Sequence, residues 1–123
     1  MRAELKEMFS TSLTSPLEGY WPEFTDNFGL LLHLQIGPDG VDASDSFDLL
    51  VCTPEWIKQE HVEDRYVWGR HMLIVLEYDL PFIKGLIERR ISRTTGEDWI
   101  EIAQKLSRFA AWEFEDYSSS RSV

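Results

Sequence analysis

Apolar residues along the chain form runs that are typical of β-strands in its first half. Residues 28–36 are almost continuously apolar, and residues 2–8 alternate weakly between polar and apolar side chains. The tetrad at residues 37–40, Gly-Pro-Asp-Gly, predicts a chain reversal, because proline presets φ for a turn and glycine accepts positive φ. We therefore expect residues 28–36 and 46–52 to pair as an antiparallel hairpin.

A further apolar run at residues 72–76 predicts another strand, which we place at residues 68–78 as a third central strand buried on both faces. Residues 10–26 contain Ser, Thr, Pro and Gly together with Tyr20, Trp21 and Phe24, a mixture that favours an irregular loop held by its rings. The alternation of rings and acids over residues 112–117 is compatible with a last edge strand.

Three helices are predicted from their start and stop signals. Thr53-Pro54-Glu55 combines a hydroxyl N-cap, a proline at the first helical position and an acid in the first turn of a short helix. A second helix begins at Asp79-Leu80-Pro81 and ends at arginines that complement the helix dipole: Arg89, Arg90 and Arg93. Residues 95–98 cap a third helix with one apolar stripe: Trp99, Ile102, Ala103, Leu106 and Ala110.

The order of these elements predicts an α+β fold. We expect a single compact domain, with a mainly antiparallel sheet and two longer helices and one short helix packed on one face. This domain should span residues 1–117, followed by a disordered Ser-rich tail at residues 118–123.

The net charge of −10 is segregated along the chain. Between Lys6 and Lys58 there is no lysine or arginine, yet the segment contains nine acids: Glu7, Glu18, Glu23, Asp26, Asp39, Asp42, Asp45, Asp48 and Glu55. Such a chain is poorly suited to nucleic acid or an anionic membrane, since both require a positive surface, and it favours cationic protein partners. A single cysteine and the lack of an apolar leader or membrane-length run predict a cytoplasmic protein.

The residues that could carry chemistry form no recognised motif. Cys52 precedes a helix N-terminus, where a thiolate would be stabilised, but a buried small apolar residue is the preferred interpretation. His33 and His71 are expected to be satisfied in or near the sheet, and His61 to lie in a loop. We predict no catalytic residue, no cofactor and no metal site. Trp21, Trp68 and Tyr20 either clamp a loop or face a partner.

Several short motifs are spread along the chain. They are Trp21-Pro22, Asn27-Phe28-Gly29, Ile36-Gly37-Pro38 and residues 45–56, Asp-Ser-Phe-Asp-Leu-Leu-Val-Cys-Thr-Pro-Glu-Trp, followed by Gly69-Arg70-His71 and Trp112-Glu113-Phe114-Glu115-Asp116-Tyr117. With these motifs the chain bears a resemblance, over roughly residues 3–117, to the Imm8 family, small immunity proteins of bacterial polymorphic-toxin and contact-dependent inhibition systems. The resemblance implies a non-enzymatic protein, made beside a toxin, that binds the toxin domain and neutralises it inside the producing cell.

The acidic segment and this resemblance lead to one hypothesis for the site. A nuclease toxin has a basic groove that an acidic surface can occupy as a phosphate mimic. The expected partner-binding residues are Trp21, Glu23, Asp26, Asp39, Asp42, Asp45 and Asp48. Two alternatives remain open: an acidic adaptor or structural protein without a toxin partner, and a small enzyme that uses Cys52 or a histidine.

Overall fold

The predicted hairpin forms the centre of the sheet. In the computed structural model, which describes residues 1–115, strand β2 (Gly29–Pro38) pairs antiparallel with β3 (Asp45–Cys52). The turn begins after Pro38 rather than at Gly37, because the first strand, β1 (Ala3–Phe9), extends the ladder and pairs Ala3 with Pro38. Within β1 the register shifts between Leu5 and Glu7, so Lys6 is the additional residue of a β-bulge.

Two short strands share the remaining edge of β3. Strand β4 (Met72–Ile74) runs parallel to the end of β3, and β5 (Ala111–Trp112) pairs antiparallel with Phe47 and Asp48 near its start. The predicted edge strand at residues 112–117 is thus shorter and begins one residue earlier. Its last two residues, and the predicted tail at residues 118–123, lie outside the described residues.

The prediction of a central strand at residues 68–78 is wrong. Only β4 pairs with the sheet, at its edge, and Ile74 is exposed. Gly69 and His71 have φ values of 69° and 56°, in the left-handed region, which interrupts the extended chain just before β4. After Ile74 the chain leaves the ladder, so that Val75 is buried while Leu76 faces solvent.

The three helices begin where their capping residues predict. They are α1 (Pro54–Glu60), α2 (Leu80–Ser92) and α3 (Trp99–Leu106). The Asp79 carboxylate accepts from the backbone N–H of Phe82, and that of Asp98 accepts from Glu101, as expected for N-caps. Thr53 is the N-cap of α1, but its hydroxyl accepts from the backbone N–H of Phe28 at 3.1 Å instead. Thr53 therefore fastens α1 to the start of β2.

The hydrophobic core lies between one face of the sheet and helices α2 and α3. Alternate residues of β2 and β3 are buried on that face, and they pack with three isoleucines of α2 and the apolar stripe of α3: Leu30, Leu32, Leu34, Ile36, Phe47, Leu49, Val51, Ile83, Ile87, Ile91, Ile102, Ala103 and Leu106. The predicted fold class, a single α+β domain with a mainly antiparallel sheet, is confirmed. Within residues 1–115, no helix has the length and apolarity needed to cross a membrane.

Candidate partner-binding surface

The acidic segment is divided between the two ends of the sheet. The loop at residues 10–28 enters β2 at Gly29, whereas the turn at residues 39–44 follows Pro38 at its other end. A strand of ten residues spans about 30 Å, so Glu23 and Asp26 lie far from Asp39 and Asp42. The structure therefore does not bring the seven expected partner-binding residues together on one surface.

At the first end, three segments converge on a region that we call the acidic end. The backbone N–H of Tyr78 donates to the carbonyl of Thr25 at 2.7 Å, and the Asn27 side chain donates to Gln59 of α1 at 3.1 Å. These contacts place carboxylates from the loop, from α1 and from the segment before α2 at the same end of the molecule: Glu18, Glu23, Asp26, Glu55, Glu77 and Asp79. The acidic end thus includes acids that follow Lys58, which the charge pattern of the sequence did not single out.

The other end, around the hairpin turn, is of mixed charge. The carbonyl of Arg2 accepts from the backbone N–H of Asp39 at 2.9 Å, and Arg2 pairs with Thr95 just after α2. Helix α2 begins at the acidic end, and Arg89, Arg90 and Arg93 at its far end line a cavity beside β3 and β4. Asp39 and Asp42 are exposed, and they share their end of the molecule with Arg2.

Asp45 and Asp48 bind other residues of the same chain. Oδ2 of Asp45 accepts from the indole nitrogen of Trp99 at 2.8 Å and from that of Trp112 at 3.1 Å. Asp48 Oδ1 lies 2.7 Å from Nδ1 of His33 on the neighbouring strand. Asp45 lies just outside the strand predicted at residues 46–52, and no local signal in the sequence indicates its contacts with Trp99 and Trp112, which are distant in the chain.

His33 links a carboxylate to a hydroxyl on the second, half-exposed face of the sheet. Because a carboxylate only accepts, Nδ1 carries the proton toward Asp48, and Nε2 of the neutral ring accepts from the Thr11 hydroxyl at 3.1 Å. Hydroxyl, imidazole and carboxylate follow the order that activates a nucleophile. The same contacts also fulfil the hydrogen-bonding needs of three polar side chains on a sheet face. Beside them, Nε2 of Gln35 donates to Oγ of Ser46 at 2.6 Å in the same way.

His71 and Cys52 are both held within the structure. Nε2 of His71 donates to the carbonyl of Ser107 at 2.7 Å, which ties the start of β4 to the end of α3. Cys52 is fully buried, and this burial raises the pKa of its thiol to about 11. The thiol is therefore protonated at neutral pH, and the helix N-terminus does not produce a thiolate. In residues 1–115 no three or more His, Cys, Asp or Glu side chains are grouped so that they could hold a metal ion.

The exposed tryptophans differ from the buried ones in their surroundings. Trp21 is 70% exposed, although one edge of its ring contacts Tyr78 with a centroid separation of 5.6 Å. Tyr20 is half-buried against the same ring at 5.5 Å, so it clamps the loop. Trp68 is 90% exposed and contacts Tyr66. Trp21 and Trp68 thus offer large apolar surfaces to solvent.

A cavity of about 610 Å³ opens at the acidic end, and we call it the acidic cavity. Its walls combine three carboxylate residues, three aromatic residues and two apolar residues: Glu18, Glu77, Asp79, Tyr20, Trp21, Tyr78, Leu80 and Pro81. Tyr78 is only 5% exposed, and burial, followed by the charges of Tyr20 and Glu18, raises the pKa of its hydroxyl. Sequence reasoning missed this cavity because its two walls come from separate parts of the chain.

Comparison with known proteins gives a family match over nearly the whole chain. The model of the family Imm8, described as Immunity protein 8, matches residues 3–117. No curated protein and no solved structure matches the chain. The matched region contains every strand and helix described above, including both ends of the sheet.

Proposed function

The chain belongs to the Imm8 family of immunity proteins, and from this membership we propose that it neutralises a nuclease toxin in the cytoplasm by binding the toxin's basic active-site groove. A nuclease must attract a polyanion, so its substrate groove carries lysines and arginines. A protein with a net charge of −10 is attracted to such a groove and repelled by the nucleic acid that the groove would otherwise hold. Neutralisation then requires binding and no catalysis.

We place the contact surface at the acidic end, and Trp21 is the observation that carries this choice. Its ring is 70% exposed between Glu18 and Glu23, and neither glutamate forms an ion pair within residues 1–115. Exposed tryptophans are frequent anchors of protein interfaces, while the surrounding charges raise the association rate and select the partner. Trp21, Glu23 and Asp26 therefore form the centre of the proposed interface.

Asp39 and Asp42 have a lesser role in this proposal. They add to the attraction of a basic partner at long range, but Arg2, whose carbonyl accepts from the backbone N–H of Asp39, lies beside them and opposes it. Asp45 and Asp48 contribute through the fold, because their carboxylates already accept hydrogen bonds from Trp99, Trp112 and His33.

The proposal is tested with the toxin domain encoded beside the gene for this chain. Nuclease activity on plasmid DNA is measured against increasing immunity protein, and the dissociation constant is measured at several salt concentrations. We expect inhibition at a one-to-one ratio and an affinity that falls as salt rises, because exposed charges are screened. An absence of complex formation, or inhibition without a complex, would contradict neutralisation by binding.

A matched pair of variants separates the two ends of the sheet. Two double variants change the net charge equally. The first is Glu23→Gln with Asp26→Asn, and the second is Asp39→Asn with Asp42→Asn. We expect the first double variant to raise the dissociation constant of the toxin complex roughly tenfold or more, and the second to raise it about threefold or less. A larger effect of the second double variant would move the interface to the hairpin turn. If both double variants change the dissociation constant equally little, and the affinity of the complex does not depend on salt, the result would favour a partner without a basic groove.

A further inference from the structure

The acidic cavity has the composition of a binding site for an organic cation. Tyr78 forms its base and is surrounded by other rings in edge-to-face geometry, with centroids at 5.5 Å for Tyr20, 5.6 Å for Trp21 and 5.0 Å for Phe28. Aromatic rings attract cations through the negative charge of their faces. Leu80 and Pro81 add an apolar wall that suits the methylene groups of a long basic side chain.

Three carboxylates at this cavity have no cationic partner within residues 1–115. Asp79 accepts one hydrogen bond from the backbone N–H of Phe82 at 3.2 Å as the N-cap of α2, and it retains its other oxygen. Glu18 and Glu77 are exposed at the rim. Like charges around one opening repel one another, and a bound cation would relieve that repulsion.

The hydroxyl of Tyr78 is a second and independent indication of a ligand. Among the described residues, it is the buried side-chain polar atom that has no hydrogen-bond partner. Burying a hydroxyl without a partner costs free energy, and most folded proteins avoid it. Protein atoms cover the hydroxyl oxygen, so the side chains around it must move slightly before it can accept from an N–H donor that enters the cavity.

From these contacts we infer that the acidic cavity receives the guanidinium group of an arginine side chain of the toxin. A guanidinium group is planar, stacks on aromatic rings and presents five N–H donors. It can therefore lie against Trp21 while donating to Glu18 and Glu77, and to the Tyr78 hydroxyl once that group is uncovered. This inference rests on the proposed function, which it deepens by naming the chemical group that one site recognises.

The first test uses a small probe and needs no toxin. The protein labelled with ¹⁵N is titrated with N-acetyl-arginine methylamide, and with the citrulline analogue, a neutral molecule of nearly the same shape. We expect arginine to shift the indole N–H of Trp21 and the backbone amides of residues 18–21 and 77–79, and citrulline to shift them far less. Equal shifts from both probes, or none at these positions up to about 50 mM arginine, would overturn the inference.

Two variants examine the groups that line the cavity. Glu18→Gln with Glu77→Gln should abolish the arginine shifts, whereas the control Asp39→Asn with Asp42→Asn, of the same net charge, should preserve them. Tyr78→Phe should weaken probe binding about threefold, because it removes one acceptor from the site. Unchanged probe binding in the Glu18 and Glu77 double variant would overturn the site, and unchanged binding in Tyr78→Phe would overturn the role of the hydroxyl.

The toxin complex separates this inference from the proposed function. The cavity inference is supported if the double variant at Glu18 and Glu77 lowers toxin affinity roughly tenfold or more while the charge-matched control does not. If both variants lower the affinity equally, the cavity inference is wrong while binding of a basic toxin stands. If the wild-type chain binds the arginine probe but not the toxin domain, the proposed function fails and the cation site stands.

Discussion

Asp45, the first residue of β3, accepts a hydrogen bond from the indole nitrogen of Trp99, the first residue of α3, at 2.8 Å. The same carboxylate oxygen accepts from Trp112 of β5 at 3.1 Å, and the Trp112 ring stacks on Phe47. One acidic side chain of the hairpin therefore holds together a strand, a helix and an edge strand. An acid that the sequence assigned to a partner has an intramolecular role in the structure.

Replacing Asp45 should destabilise the fold. Hydrogen bonds to a charged acceptor contribute more than neutral ones, so Asp45→Ala, which leaves two indole donors unpaired, should lower the free energy of unfolding by about 3 kcal/mol. Asp45→Asn keeps one carbonyl acceptor and should cost about half as much. Urea unfolding followed by tryptophan fluorescence measures both. The exposed Asp42→Ala is the control, with an expected change within about 0.5 kcal/mol. Similar midpoints for the Asp45 variants and this control would show that the two hydrogen bonds contribute little.

Gly29 is required by the packing of Trp56. A Cβ atom at this position would lie 2.1 Å from Cε2 of the indole, so the ring or the strand would have to move. Gly29→Ala should therefore lower the free energy of unfolding by about 1–3 kcal/mol, as in other overpacked sites.

The control for Gly29 is Gly19→Ala, since no atom lies within 4 Å of a Cβ built there. It should unfold at a urea concentration close to that of the wild type. Adding Trp56→Leu to Gly29→Ala should recover part of the lost stability, because the smaller side chain makes room for the methyl group. If Gly29→Ala were as stable as Gly19→Ala, the close approach of Trp56 would not constrain this residue.

The Cys52 thiol should be unreactive in the folded protein. With the pKa raised to about 11, roughly one thiol in a thousand is ionised at pH 8, and the side chain is fully buried. We expect Ellman's reagent to react with it only on the timescale of unfolding, and rapidly in urea. Fast reaction of the folded protein would indicate an accessible thiolate and would restore Cys52 as a candidate nucleophile.

The same pKa gives Cys52 a defined effect on stability at alkaline pH. Its pKa is 9.0 in the reference state and about 11 when folded, so the unfolded chain releases its proton first. The contribution of Cys52 to the free energy of unfolding should therefore be complete below pH 9 and be lost as pH rises toward 11. The difference in unfolding free energy between wild type and Cys52→Ala, measured at pH 8 and pH 10.5, should shift in favour of the variant. A difference that does not change with pH would contradict the raised pKa. Tyr78, whose pKa is also raised, is present in both proteins and cancels in this comparison.

The Thr11, His33 and Asp48 chain should not be needed for neutralisation. His33→Gln and Thr11→Val remove hydrogen bonds on the half-exposed sheet face, so each should cost about 1 kcal/mol of stability or less. Inhibition of the toxin is expected to be unchanged in both variants at the same protein ratio. A variant that still binds the toxin but no longer protects against it would instead point to catalysis by His33.

Local signals in the sequence were sufficient for the hairpin and the helix starts. Asp79 and Asp98 cap their helices as predicted, since an N-cap acts on backbone N–H groups a few residues away. The prediction failed for residues 68–78, because an apolar run does not reveal which strand edge remains available. Here β5 occupies the first part of that edge of β3, and only its last residues remain for β4.

The division of the acids was within reach of the sequence, whereas the cavity was not. A loop that precedes a strand and a turn that follows it must lie at opposite ends of the strand, so the predicted hairpin already separated Asp26 from Asp39. The meeting of Trp21 with Tyr78 depends on the path that the chain takes after β4, which no local pattern specifies. The residues that form the candidate cation site are therefore known only from the structure.

The bulge at Lys6 has a consequence for how copies of this protein behave toward one another. Strand β1 is the outermost strand on its side of the sheet, and such a strand can recruit a neighbouring molecule through its unpaired backbone groups. Lys6, the extra residue, interrupts the regular spacing of those groups, and its side chain forms an ion pair with Glu4. A second sheet cannot extend β1 without desolvating these charges. The bulge thus acts against edge-to-edge aggregation and favours a protein that remains dispersed at high concentration.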